Sequence, residues 1–358
     1  MGWNTELTAA SAAGDEATYF PDTSDVHGYT SAVFTAPKKG IYRFTLRGSG
    51  GHARHTFGNQ AAGGVGGLTV GYMLLEAGQT VYVGCGGPCS AAWAATANPG
   101  NAGVSAIAQG SLLFVAGAGG GGGSTWSEDK NGFCGTGGAG GGSSGADGVS
   151  NNGKHGTGGT QSAGGTGYNH DSEPKNNGGY GIGSRAVYTN NQDDNGYGGS
   201  GTGGDGGDGY YGGGAGQSAG NERANGGGGG SGYVIAWAAA GMTVAGKTYY
   251  ATTQQGGGAA SNCAGSVAVA YHAAAELPVS FNGTRLTKLI FNGTEVASLI
   301  YNGTTVYIGR CRACLKRRAA RFACLRAIRA SLALRWRAYR WERMTSLSSP
   351  CASRMASS

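Results

Sequence analysis

Between Gly117 and Gly232 glycine occupies 46 of 116 positions, and these glycines fall into register. The stretch from Gly198 to Gly209 parses into four triplets that begin with glycine and nearly all end with it, and Gly135-Thr136-Gly137 with Gly138-Ala139-Gly140 shows the same pattern upstream. A period of three matches neither an α-helix nor a β-strand. It matches the extended left-handed helix of three residues per turn, which has no internal hydrogen bonds. The N–H and C=O groups of such a helix must point outward, and glycine lets neighbouring helices come close enough to satisfy them. Collagen shares the period but needs strict Gly-X-Y and abundant proline, whereas this chain has seven prolines and many Gly-Gly pairs. A flexible glycine linker is the competing reading. The length of the stretch and its Tyr, Asn and Asp residues favour an ordered bundle of polyglycine II helices, with disorder left open.

Charge is distributed unevenly. Residues 310–358 hold thirteen basic residues and one acidic residue, leaving thirteen basic against eighteen acidic in the body. The body is therefore mildly acidic and offers no electrostatic footprint for nucleic acid. Met1-Gly2-Trp3-Asn4 does not open a secretory signal, and no apolar run reaches the ~20 residues of a membrane span. These features lead us to expect a virion or extracellular protein that leaves its cell by lysis. Cys85-Gly-Gly-Pro-Cys89 is spaced to allow a small disulfide loop, and no cysteine or histidine spacing suggests zinc.

Outside the glycine region the chain reads as β. Ile41-Tyr-Arg-Phe-Thr-Leu46 alternates so that Tyr42, Phe44 and Leu46 share one apolar face. Residues 31–34, 66–72, 79–83 and 111–116 give further strands, and 233–237 and 265–271 read as strands returning after the insertion. The expected organisation is an N-terminal lead (1–30), a β framework in two parts (31–116 and 233–272), a polyglycine insertion between them (117–232), an Asn-Gly-Thr repeat (279–308) and a basic tail (309–358). The fold class is mainly β.

The order Phe34-Thr-Ala-Pro37, Gly40-Ile-Tyr42, Gly48 with Gly50-Gly51, Gly63-Gly64 with Gly66-Gly67, Leu75-x-x-Gly78-Gln79-Thr-Val-Tyr82, then Ala116 to Gly123, resembles glycine-rich domains of phage and prophage tail proteins. It also resembles, distantly, the extracellular glycine-rich part of the anaplastic lymphoma kinase receptor family. The resemblance covers about residues 30–272. It implies a jelly-roll-like framework carrying a lattice of polyglycine helices, and the phage versions include tail-tip adhesins.

Phe281-Asn-Gly-Thr284, Phe291-Asn-Gly-Thr294 and Tyr301-Asn-Gly-Thr304 recur at intervals of ten. Asn-Gly favours the type I′ hairpin turn, so the three units are expected to form a small β-meander. Residues 310–358 contain no glycine and are rich in Arg and Ala. A basic amphipathic helix, a disordered arm and translation in a wrong reading frame all fit this composition.

No nucleophile elbow, metalloprotease motif, phosphate-binding loop or cofactor fingerprint is present, and the many GxGxxG matches follow from composition alone. His52 and His55 read as loop histidines, and Asp193, Asp194, Asp205 and Asp208 as solvated turn residues. Four richer segments interrupt the glycine triplets, at 124–131, 168–177, 184–195 and 217–225. Joined at one end of a bundle, they would gather Trp126, Tyr168, His170, Tyr188, Asn190, Asn191 and Asp193. Aromatic planes beside amides and carboxylates suit sugar rings. The expected function is a non-enzymatic phage tail-fibre or receptor-binding protein, without cofactor. Its expected partners are a bacterial surface glycan or outer protein and other virion tail proteins, with homotrimerisation possible. The alternative is a passive structural virion or cell-surface protein, such as a decoration or an ice-binding polyglycine protein; the charged and aromatic interruptions argue against ice binding. If the basic tail is a frame artefact, truncation after Ile308 will leave the melting temperature and binding unchanged; a truncated chain that unfolds would make the tail a structural element.

Overall fold

The computed structural model describes residues 16–52, 59–125, 133–168, 176–186, 188–190, 200–219, 223–244 and 246–273, with paired stretches between 280 and 308. The chain divides into two units, Met1–Glu276 and Leu277–Ser358. In the first, ten strands build the framework: β1 (Glu16–Tyr19), β2 (Tyr29–Thr35), β3 (Gly40–Arg47), β4 (Gly67–Leu75), β5 (Thr80–Gly86), β6 (Ala92–Ala95), β7 (Leu112–Ala116), β8 (Tyr233–Val234), β9 (Thr252–Gly257) and β10 (Ser266–Ala273). They form two antiparallel five-stranded sheets, ordered β1-β10-β3-β4-β9 and β8-β7-β6-β5-β2.

The expected alternation in β3 is present. Tyr42, Phe44 and Leu46 are buried in one core with Leu75, Val267 and Val269 of their own sheet and Phe34, Val81, Val83 and Phe114 of the other. Two sheets sharing an apolar core hold each other by removal of that surface from water. Glycines inside strands make room for rings: a methyl group on Gly71 of β4 would overlap the Phe114 ring, and one on Gly84 of β5 would overlap Trp93. The far side of the second sheet carries another cluster, Trp93, Val104, Ile107, Leu112 and Val115.

Two expectations change. β8 ends at Val234, and Ala236–Ala240 forms a short helix, α1, that stops at Gly241 with φ 99°. Four alanines in five residues favour helix over strand, and glycine accommodates the left-handed exit. The lead is not all outside the framework, because Glu16–Tyr19 pairs with β10 and buries Ala17 and Tyr19.

Between the framework strands, the glycine-rich stretches exchange backbone hydrogen bonds with a period of three. In residues 225–232, the N–H groups of Gly226, Gly229 and Gly232 donate to Val149, Ala146 and Gly142. Those of Gly227 and Gly230 donate to Gly121 and Ala118, and those of Asn225, Gly228 and Ser231 to Gln217, Gly214 and Tyr211. The carbonyls of residues 224–231 accept from three further stretches: 135–141, 204–210 and 156–159. Six stretches thus satisfy one central segment, at 2.8–3.0 Å. Residues 118–123 show the same period, with Ala118 and Gly121 donating to Asp208 and Asp205, Gly119 and Gly122 to Ser49 and His52, and Gly120 and Gly123 to Gly138 and Gly135. The lattice is continuous with the sandwich: β3 runs into Gly48–Gly51, β7 into Gly117, and β4, β8 and β10 emerge from glycine-rich segments.

In the second unit, Phe281 pairs with Thr284, Phe291 with Thr294 and Tyr301 with Thr304, and the Asn-Gly pair between each of these lies outside the described residues. Among the described residues these are three separate two-stranded hairpins, with no pairing between them that would make one meander. The apolar residues between the first two and the last two hairpins lie outside the described residues, as does the basic tail.

A methyl group on Gly228 would fall within the van der Waals shell of the Thr157 carbonyl, whereas one on Gly110 meets nothing within 4 Å. Gly228→Ala is therefore expected to destabilise the protein by about 1–3 kcal/mol or more, as overpacking does. Gly110→Ala should stay within about 0.5 kcal/mol. Urea denaturation of both variants checks this; equal losses would show that the lattice is loosely packed.

Candidate functional site

Of the residues expected to form a binding surface, Trp126, His170, Asn191 and Asp193 lie outside the described residues. The backbone of Tyr188 and Asn190 and the whole of Tyr168 are described, and they show where the segments are rooted. Tyr188–Asn190 pairs with Ser200–Thr202, which pairs with Ser124–Thr125, which pairs with Asn59–Gln60. A second small ladder joins Phe133–Cys134 in parallel to Arg223–Ala224, itself antiparallel to Ser218–Ala219. Cys134 links the two, with its Sγ 3.2 Å from the Asn59 carbonyl and 3.6 Å from Thr125 Oγ1.

These ladders bring together the flanks of segments 53–58, 126–132, 191–199 and 220–222. The segment 169–175 is rooted beside them, because Tyr168 N–H donates to Ala215 and Ala215 N–H to Asn176, three residues before Ser218. The half-buried Tyr168 carries Lys154 over its ring, 5.0 Å from the centroid. The roots therefore gather at the end of the lattice marked by Thr125, Cys134, Ala224 and Ser218.

At the other end sits a charge that sequence reasoning assigned to solvent. Asp205 and Asp208 are buried, at 4% and 1% exposure. Asp208 Oδ1 accepts from His27 Nδ1 at 2.8 Å and from Gly183 N–H at 2.7 Å, and Oδ2 accepts from Tyr29 hydroxyl at 2.7 Å. Asp205 Oδ1 accepts from Ala186 N–H at 2.6 Å. A glycine neighbour on each side lets the backbone close around these carboxylates, so hydrogen bonds replace water. His27 adopts φ 56°, and its Nε2 is buried without a hydrogen-bond partner, so Asp208 alone orients the ring. Burial works against the imidazolium, but the Asp208 charge and hydrogen bond, helped by Asp205, outweigh it and raise the His27 pKa above its ordinary 6.5. Burial also pushes the thiols of Cys85 and Cys89 well up. Both are free, so the loop that their spacing allows to be a disulfide is not one. Among the described residues no group of three His, Cys, Asp or Glu side chains could hold a metal ion.

Sequence reasoning also missed an aromatic cluster. Tyr210 stacks on Tyr233 at 4.3 Å and 18°, and meets Tyr180 and Tyr211 edge to face at 5.8 and 5.2 Å. An isolated bridge pairs Tyr180 with Tyr211. Tyr180 hydroxyl donates to the Ile107 carbonyl at 2.6 Å, and burial followed by its tyrosine neighbours raises its pKa to about 12. The available signal was the Tyr210-Tyr211 doublet, placed within glycine where no strand or helix period called for it. No family model matches the chain, and no curated protein is similar enough to be a relative.

Because folding favours protonated His27, its contribution to stability is full below about pH 6.5 and lost as pH rises through the raised folded value. His27→Asn keeps a residue that tolerates positive φ. The melting-temperature gap between the parent and His27→Asn is expected to be widest near pH 5 and to narrow toward about pH 9. A gap independent of pH would mean that the histidine charge contributes nothing.

Proposed function

We propose that this chain is a receptor-binding adhesin of the phage tail-fibre kind, which holds a bacterial surface glycan or outer protein through segments at one end of a glycine scaffold. Its role in this reading is binding rather than catalysis. The observation that carries it is the gathering of five segment roots at the lattice end marked by Thr125, Cys134 and Ala224. Rods of backbone expose almost no side chains, so such a scaffold recognises nothing by itself and displays what its connections carry.

In this reading the lattice segments are polyglycine II helices packed on a jelly-roll-like sandwich. The three-residue rotation of donors along 225–232 and 118–123 supports the first part. At ~3.1 Å per residue, the eight steps from Gly117 to Thr125 would hold the segments about 25 Å from the strands. Attachment of the framework to other tail proteins, and a homotrimer, belong to the same proposal. Among the described residues no helix is long and apolar enough to cross a membrane.

Replacing residues 191–199 with a short Gly-Ser bridge should abolish adsorption to susceptible cells while the melting temperature stays within about 3 °C, as for a surface change. Adsorption that survives this replacement and the shortening of 126–132 and 169–175 would overturn the proposal.

A further inference from the structure

We propose that Tyr180, Tyr210, Tyr211 and Tyr233 form a second carbohydrate site, which takes an uncharged pyranose oligosaccharide independently of the segments at the far end of the lattice. The site lies at the framework end. Tyr233 belongs to β8, Tyr210 N–H donates to the Ser231 carbonyl, and Ser231 Oγ accepts from Tyr211 N–H at 3.1 Å. Residues 225–232 of the central segment separate it from Arg223–Ala224, where the other segments are rooted.

The chemistry of the cluster selects its ligand. Each ring is only partly buried, and Tyr180, Tyr210 and Tyr233 rest on the outer cluster of Trp93, Ile107 and Val115. The packing is made by the rings. The hydroxyls of Tyr210, Tyr211 and Tyr233 instead make no hydrogen bond among the described residues and are not enclosed. Aromatic planes fixed by stacking, with hydroxyls at their rims, match the apolar faces and equatorial hydroxyls of a pyranose.

A polar turn stands beside them. Ser231 Oγ donates to the Thr160 carbonyl at 2.7 Å, and the exposed Gln161 is held by Nε2 bonds to the Gly232 and Ser143 carbonyls. This leaves the Gln161 Oε1 as an acceptor for a sugar hydroxyl. The charges that raise the Tyr180 and Tyr210 hydroxyls, after burial, are those of neighbouring tyrosines, which are neutral at ordinary pH, and an uncharged sugar suits such a surface.

The test titrates the full chain with maltohexaose, cellohexaose and chitohexaose to ~10 mM, a range that detects millimolar binding, while following the tyrosine ring signals by NMR. At least one hexaose is expected to shift the signals of these four rings. Tyr211→Ala should weaken that binding about tenfold and Tyr211→Phe, which keeps the plane and loses the hydroxyl, by less. Tyr211 lies outside the apolar cluster, and Tyr211→Phe still reports if the alanine variant does not fold. The variant with 191–199 replaced is expected to bind the hexaose unchanged, which separates this site from the proposed adhesin end. The proposal is overturned if none of the three sugars moves the four rings, or if binding is the same in both Tyr211 variants as in the parent. It is also overturned if Tyr211→Ala removes cell adsorption without any sugar response, which would make the cluster a protein-docking face.

Discussion

The structure depends on a backbone that satisfies itself between segments rather than within them. Along 225–232 each successive N–H points to a different neighbour, and every third one returns to the same neighbour. A helix closes its hydrogen bonds locally and a sheet uses two neighbours. Here six stretches are needed, and a side chain on the inner positions would separate them beyond bonding distance. Glycine is ordinarily the residue that loses most on ordering. That loss is offset by the dense set of short bonds and by the anchorage of the segments in strands that a conventional apolar core holds in place.

The two parts are also joined through charge. Asp208 lies in a glycine run, yet its carboxylate is bonded by His27 and Tyr29 from the framework side. Its backbone accepts from Ala118 and donates to Cys89, so a single residue ties the sandwich, the 118–123 segment and the 204–210 segment. A buried carboxylate with this many donors favours one register, because a slip of one residue would take both Asp205 and Asp208 away from their donors.

Much of the framework was legible because its signals are local. The period-two run at 41–46 and the apolar runs at 79–83 and 111–116 report burial directly. β6 was not legible, since Ala-Trp-Ala-Ala has little strand preference and is extended only because it lies between two apolar clusters that need small residues. The helix at Ala236–Ala240 was hidden by the apolar look of Tyr233–Trp237. The period of three was plain in the glycine triplets, but which segments would meet was not, because glycines carry no identity. The end where the segment roots gather was legible only as a list of richer segments, of which Tyr168 and the backbone of Tyr188 and Asn190 can be placed. The Asp208 site and the tyrosine cluster come from partners 179 and 181 residues apart or from rings on three separate segments, and no window of sequence holds them.

The central segment also sets an order of events. The six stretches around residues 224–232 all precede it in the chain, so a nascent protein makes the cage before the rod that fills it. The same holds in the first sheet, where β10 enters between β1 and β3 although it is the last of the ten strands to be synthesised. Until those late residues leave the ribosome, both the lattice and the sheet have a gap at their centre, with backbone donors open to water. Closure therefore joins contacts distant in sequence: a chain interrupted before residue 224 lacks the centre of the lattice, and one interrupted before residue 266 lacks the strand between β1 and β3.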